Sequence, residues 1–507
     1  MMRQALHIFK KDVRHLWPAI LVVVTLTALF TYLGAYSVPA VRQGASKLDL
    51  ANGLVLFLMP LGWAYLIAAT VHEEVLPGDQ QFWLTRPYSW KSLLAAKGLF
   101  IVAFVNVPMM LAACVIVQIQ GFHIAAYWIN LICWQILLTA VWLMPFAALA
   151  AVTRNLRQFF VTVLAIAVIS YLLELWSSQP ALVRSHPFPF YLGLWLGAMW
   201  IDYFIVIAVL VTAALLILFL QYSRRRTTIA RAISICAVIL VFGIPQLLTM
   251  QGITALQFRL SKSQVDASSL RITMDLDRKP PKTVSHRGYR GTIQVDIPVR
   301  VTGLADGMDL YSDRLTTVIE GPDGKVAQAV GWIVHQDDGY WQEIYVDVPV
   351  FQQLKGKQAT LRTSTYLTLL GDEKRTQVEP AERQEVAGLG ICMRRASNDA
   401  QEQVSRGQRD SMLVCFSPFR SPSLFTKTFF VMKALFGNLG ESYPEIGPGS
   451  YSPYPAEGGI SPLVVSIQSN WSSSEPMKVT VATEVPLAHA RRDFEVRGLR
   501  LGDYAIE

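Results

Sequence analysis

PAILVVVTLTALFTYLGAYS, residues Pro18–Ser37, decides how this chain has to be read. It is an uninterrupted apolar run with no charged side chain, and a helix of roughly 20 such residues spans the hydrocarbon core of a bilayer. A secretory signal peptide would carry a small-residue cleavage pattern after a shorter apolar core, and none is present here. More apolar runs follow. The stretch therefore reads as a retained membrane helix.

Working outward, six further runs have similar length and texture: Asn52–Val71, Gly98–Val117, Tyr127–Val152, Phe159–Trp176, Ile201–Gln221 and Ala232–Met250. Together they predict a polytopic α-helical membrane bundle of about seven spans. The loops give it an orientation, because Lys and Arg accumulate on the cytoplasmic side of inserted helices. One alternating set holds Arg3, Lys10, Lys11, Arg14, Arg86, Lys91, Lys97, Arg154, Arg157, Arg224, Arg225, Arg226 and Arg231, and the other only Arg42, Lys47 and Arg184. The N-terminus is thus expected in the cytoplasm and everything after Met250 outside it.

The hydrophobic fraction of 52% is an average over two unlike halves. Residues 1–254 form the transmembrane domain and contain the whole positive excess behind the net charge of +8. A basic chain can suggest nucleic acid, but these cations flank apolar helices. They read as topology signals, and no nucleic-acid partner is expected; the partner they imply is the lipid bilayer. Ahead of the first span, Leu6, Phe9, Val13 and Leu16 share one helical face, which suits either a helix lying in the inner interface or a simple basic flank. Between the fifth and sixth runs, SSQPALVRSHPFPFYLGLWLGAMW is apolar yet broken by prolines, and reads as a re-entrant or interfacial hairpin.

After residue 254 the period changes from helix to strand. GTIQVDIPVRV, QEIYVDVPV, ATLRTSTYLTL, PLVVSIQSN and MKVTVATEV alternate apolar and polar residues between Gly, Pro, Asp and Asn turns. Such segments predict an all-β, sandwich-like extracytoplasmic domain over 255–507, as one sandwich or two with a seam near 371–384. Cys114, Cys133 and Cys236 fall in apolar runs, as small apolar residues. Cys392 and Cys415 fall in two strand-like segments, where an oxidising compartment permits a disulfide.

The sequence carries no recognisable catalytic motif. HEEVL at His72–Leu76 begins like a zinc-protease HExxH motif but has Leu76 in place of the second histidine. There is no GxxxxGK[ST] phosphate loop and no GxSxG nucleophile elbow. Asp337-Asp338-Gly339 is a turn signal, and Asn470-Trp471-Ser472 is a glycosylation triplet of a kind common by chance. No catalytic, cofactor or metal site is expected, so the chain is not read as an enzyme. The spans hold almost no ionisable groups, which argues against a carrier driven by an ion gradient. Glu174 and Asp202 lie near outer helix ends, as interfacial residues reaching water or as a gate or substrate contact.

One loop remains, HEEVLPGDQQFWLTRPYSWKSLLAAK from His72 to Lys97. An acidic end to the second span, a Pro-Gly break, FWLTRPYSW and a lysine entering the third span resemble the signature of ABC-2 type transporter permeases. The matching positions are Glu73 or Glu74, Gly78, Leu84, Thr85-Arg86-Pro87-Tyr88-Ser89 and Lys97. The likeness covers Met1 to about Gln221, and the seventh span and large C-terminal domain depart from it. It implies a permease in the bacterial inner (plasma) membrane, paired with a second permease copy as a homodimer or heterodimer and served by separate ATPase subunits that bind ATP and Mg.

In that reading the loop is a coupling helix. Glu73, Glu74, Arg86, Pro87, Tyr88, Trp90 and Lys97 carry ATPase coupling, with Tyr88, Trp90, Leu93 and Leu94 as apolar anchors for a partner groove or the membrane interface. The other reading of the same loop is an interfacial hairpin that anchors two helices. The sequence thus leads to the permease subunit of an ATP-driven exporter. The alternative is a membrane-anchored sensor or envelope assembly module whose β-domain binds a ligand or protein without transport.

Overall fold

The computed structural model describes residues 2–36, 47–73, 89–119, 121–177, 200–247, 256, 259, 265–275, 277–278, 292–324, 326–336, 339–378, 384–386, 390–396, 411–417, 433–436, 441–442, 463–469 and 479–505. Its first half is helical: α1 (Met2–Tyr36), α2 (Lys47–His72), α3 (Trp90–Ile101), α4 (Val107–Ile119), α5 (Ile124–Leu138), α6 (Met144–Val152), α7 (Leu156–Ser177), α8 (Trp200–Phe219) and α9 (Thr227–Leu247). Wider π-helical turns at Val102–Asn106 and Thr139–Leu143 join α3 to α4 and α5 to α6 without a break.

Among the described residues, five helices are long and apolar enough to cross a membrane: Met2–Ala35, Gly53–His72, Trp90–Ile119, Tyr127–Val152 and Phe204–Arg224. The fifth and seventh expected spans correspond to shorter apolar stretches among the described residues, Leu156–Leu172 and Thr227–Gly243, so five of the seven expected spans have a helix of that length and apolarity. Leu21, Phe57, Leu111, Ile136, Leu164 and Ile239 are each more than half exposed on these helices. Apolar surface on that scale is typical of a membrane-facing protein rather than of a soluble monomer.

Helix α1 does not divide into an interfacial segment and a span. Its 35 residues make a rod of about 52 Å, against about 30 Å for the hydrocarbon core, and Pro18 lies inside it. The buried stripe is Ala5, Ile8, Asp12, Leu16, Val23, Thr27 and Phe30, the i, i+3, i+4 spacing of one helical face. Of the apolar face read from the sequence, Leu16 lies on this stripe, while Leu6 lies off it and is exposed.

Small residues let the helices approach closely, as membrane bundles require. A Cβ on Gly62 of α2 would meet Leu26 of α1 at 3.4 Å. Ala148 of α6, Ala214 of α8 and Ala230 of α9 are buried in one cluster. The entry to α7 is set locally: Asn155 Oδ1 accepts from Gln158 N at 2.8 Å, and Gln158 Oε1 accepts from Arg154 N at 2.8 Å. The first bond satisfies an amide that the opening turn leaves unpaired, and the second ties that turn back to the residue ahead of the cap.

The second half is β-rich. Its strands are β1 (Arg271–Met274), β2 (Thr292–Thr302), β3 (Asp309–Glu320), β4 (Val326–Gln336), β5 (Gly339–Asp347), β6 (Gln358–Val378), β7 (Gln384–Val386), β8 (Gly390–Ala396), β9 (Ser411–Ser417), β10 (Lys433–Phe436), β11 (Glu441–Ser442), β12 (Leu463–Ser469) and β13 (Val479–Arg500), with helix α10 (Val348–Leu354) after β5. An antiparallel sheet in the order β1-β2-β5-β4-β3-β6-β13-β10-β11 curls until it is nearly closed. Arg492 on β13 reaches back to the start of β1, donating from Nε to the Leu270 carbonyl at 2.7 Å and from Nη2 to the Ala267 carbonyl. The chain end completes the turn, since Asp296 N donates to Tyr504 O at 2.9 Å and Val295 bridges Ala505.

Alternation fills the inside of this sheet. Val295, Ile297, Leu315, Ile319, Ile344, Val346, Leu361 and Leu367 form one buried cluster, with the period of two that a half-buried strand demands. Gly331 is required where β4 meets β5, because a Cβ there would stand 1.8 Å from the Glu343 carbonyl oxygen. The sheet thus curls around its own core instead of facing a second, equal sheet. The expected seam at 371–384 falls in the end of β6 and the gap before β7. Beyond it, β7, β8, β9 and β12 build a separate four-stranded sheet, while β10 and β11 extend the first sheet and β13 pairs with β6. The four-stranded sheet is therefore inserted between two neighbouring strands of the first, and does not follow it.

Candidate interface at one end of the helical bundle

Loops far apart in sequence come together at one end of the bundle, and these are the basic loops assigned above to the inner side. Ser89 caps α3, its hydroxyl accepting from Ser92 N at 3.1 Å. Ser92 donates in turn to Gln4 of α1 at 3.2 Å. Trp90 packs edge-on against Phe219 of α8, with ring centroids 6.1 Å apart. Lys97 Nζ lies 2.8 Å from Asp12 Oδ2, with side-chain exposures of 3% and 0%.

The end of α2 is held from two sides. His15 Nε2 of α1 lies 3.1 Å from Glu73 Oε1. His72 Nε2 donates to the Ala150 carbonyl of α6 at 3.0 Å and lies 3.2 Å from Thr153 Oγ1; a carbonyl only accepts, so Nε2 carries the proton. Arg231 of α9 donates to the Val152 carbonyl at 3.3 Å, satisfying a group the end of α6 leaves open. Around these contacts Lys10, Arg14, Lys91, Arg154, Arg224 and Arg226 are exposed. They form a cationic rim suited to anionic headgroups or an acidic protein surface.

The coupling residues separate into three groups. Glu73 sits at the end of α2 against His15. Trp90 is half-buried, and Leu93 is buried with Leu94 packed beside the core, so these anchors face the bundle rather than a partner. Residues 90–97 are the opening turns of the helix that continues to Ile119, not a separate short helix, because their apolar side chains pack on the bundle. Lys97 is enclosed against Asp12. Glu74, Gly78, Leu84, Thr85, Arg86, Pro87 and Tyr88 lie outside the described residues. Glu174 and Asp202 lie on the backbones of α7 and α8, their side chains outside the described residues. Cys392 and Cys415 lie on the backbones of β8 and β9.

A second polar cluster is uncharged, and so was not marked by ionisable residues within the spans. Asn106 ends one π-helical turn, and its Nδ2 donates at 2.8 Å to Oγ1 of Thr139, which starts the other, and at 3.2 Å to Oε1 of Gln135, one turn earlier on α5. Asn106 Oδ1 and Gln135 Nε2 are buried without a partner, and so are both amide atoms of Gln221 in a third π-helical turn, Leu220–Arg224. π-Helical turns recur at functional sites. Amides inside apolar runs were the available signal. No group of His, Cys, Asp or Glu among the described residues is placed to hold a metal ion.

No family of known proteins, no curated protein and no solved structure matches this chain.

Proposed function

We propose that this chain is the membrane-embedded permease subunit of an ATP-driven exporter, with the loop from Glu74 to Ser89 meeting a separate ATPase that binds ATP and Mg. The supporting observation is the convergence at one end of the bundle, where α1, α2, α3, α6, α8 and α9 are tied together near Glu73 and Ser89, the described residues that flank the loop. A push on the loop would be transmitted through Trp90 to α8 and through Lys97 to α1. Lys97 in this reading transmits force inside the bundle and does not touch the partner. Arg86 and Tyr88 are left as the contact residues, since interface hot spots favour Arg and Tyr.

Seven crossings complete the proposal. The backbones of α7 and α9 run for 22 and 21 residues, enough for a span of roughly 20. An odd number puts the β-domain on the side opposite the cationic rim, outside the cytoplasm of a bacterial cell. A second permease copy would close the pathway. The nearly closed β-sheet supports the other reading, a sensor or assembly module, because a large binding domain is an addition that transport does not need.

The test is purification of the full chain from its native membrane with its partners. Recovery of a P-loop ATPase, lost on Arg86→Glu with membrane insertion intact, is the expected result. Recovery of a kinase or an envelope protein with no ATPase would instead establish the sensor or assembly reading.

A further inference from the structure

The register of the inserted sheet pairs two cysteines. Strand β8 runs antiparallel to β9 with Ile391 opposite Phe416, Cys392 opposite Cys415 and Met393 opposite Val414. The ladder continues on either side of this pair, with Gln384 of β7 opposite Cys392 and Val465 of β12 opposite Cys415. Residues directly opposed in antiparallel strands share one face of the sheet. Their Cα atoms stand about 4.5 or 5.5 Å apart, depending on which kind of ladder pair they form. Both values fall within the roughly 4.4–6.8 Å over which a disulfide closes without moving the backbone.

We propose that Cys392 and Cys415 form a cross-strand disulfide that staples the two central strands of the inserted sheet. The inference rests on the outward placement of the β-domain and not on transport. The two thiols lose two protons and two electrons as the Sγ–Sγ bond forms. The acceptor is the disulfide of an oxidising protein, which passes through a mixed disulfide and leaves as a dithiol. A staple fits this position, because the inserted sheet is built from the chain between β6 and β13 and its strands are short.

The experiment uses the full chain in native membranes. Free thiols are blocked with an alkylating reagent before solubilisation, and the protein is digested without reduction. Mass spectrometry is expected to find the Cys392 and Cys415 peptides linked to each other. Hydrogen exchange on Cys392→Ala should then show residues 390–396 and 411–417 exchanging at least tenfold faster, with the ladder between β3 and β6 unchanged. Alkyl label on both cysteines, or linkage of either to a different cysteine, would overturn the proposal. Diamide applied to a fresh, unalkylated portion of such membranes before the blocking step separates the two premises: a bond that then forms indicts the compartment, and one that still fails indicts the register.

Discussion

Lys97 and Asp12 form an ion pair at 2.8 Å in which neither side chain reaches solvent. Asp12 Oδ1 has no hydrogen bond among the described residues, and Lys11 Nζ lies 4.0 Å from it. Two charges removed from water are tolerated only as a pair, and removing one partner strands the other at a cost of about 3–5 kcal/mol. Lys97→Met should therefore lower the detergent-solubilised melting temperature sharply, and Asp12→Leu added to it should restore most of the loss. A double variant no more stable than the single one would show that the pair is not what holds α1 to α3.

Asn106, Gln135 and Thr139 make the complementary case, in which the buried groups are neutral. Interhelical hydrogen bonds in membranes are worth about 0.6 kcal/mol on average, so Asn106→Ala alone should change thermal stability little. If the cluster serves passage across the membrane, Asn106→Leu with Gln135→Leu should abolish export while leaving the protein folded and inserted. Full export by that double variant would reduce the cluster to packing.

Arg492 closes the nine-stranded sheet through two carbonyls ahead of β1. Hydrogen bonds from a charged donor contribute about 1.5–3 kcal/mol each. Arg492→Met keeps an unbranched apolar stem and removes both. Hydrogen exchange should quicken across β1 and the first residues of β13's partner edge, with β3 and β4 protected as before. Uniform loss of protection would mean that Arg492 supports the whole domain and not the closure alone.

Orientation is open to a direct check. A reporter active only outside the cytoplasm should work when fused after Glu507 and fail after Arg226, because the positive loops mark the inner side and an odd number of spans separates the ends. Activity of both fusions, or of the Arg226 fusion alone, contradicts that topology.

Charge placement and apolar length made the helical half legible, since each is a local property of the chain. The grouping of distant basic loops at one end followed for the same reason: every crossing returns the chain to the opposite face. What could not be read was which side chains turn inward. Trp90, Leu93 and Lys97 have the composition of an exposed amphipathic helix, yet the bundle buries Leu93 and Lys97 and half-buries Trp90, because α1 brings Asp12 to Lys97 and α8 brings Phe219 to Trp90.

In the second half, alternation by itself determined that the residues after 254 form antiparallel strands with one apolar face, because the period of two is written into each segment. It determined neither the order of the strands nor the closure of the sheet. Pairing β6 with β13, whose registers join Gln358 to Arg500 and Val378 to Val479, depends on contacts between residues more than a hundred positions apart. Likewise Cys392 and Cys415 are visible as two cysteines in two strands, and only the hydrogen-bonded ladder sets them opposite each other. A one-residue slip would move either to the other face of the sheet, so that choice belongs to the tertiary structure.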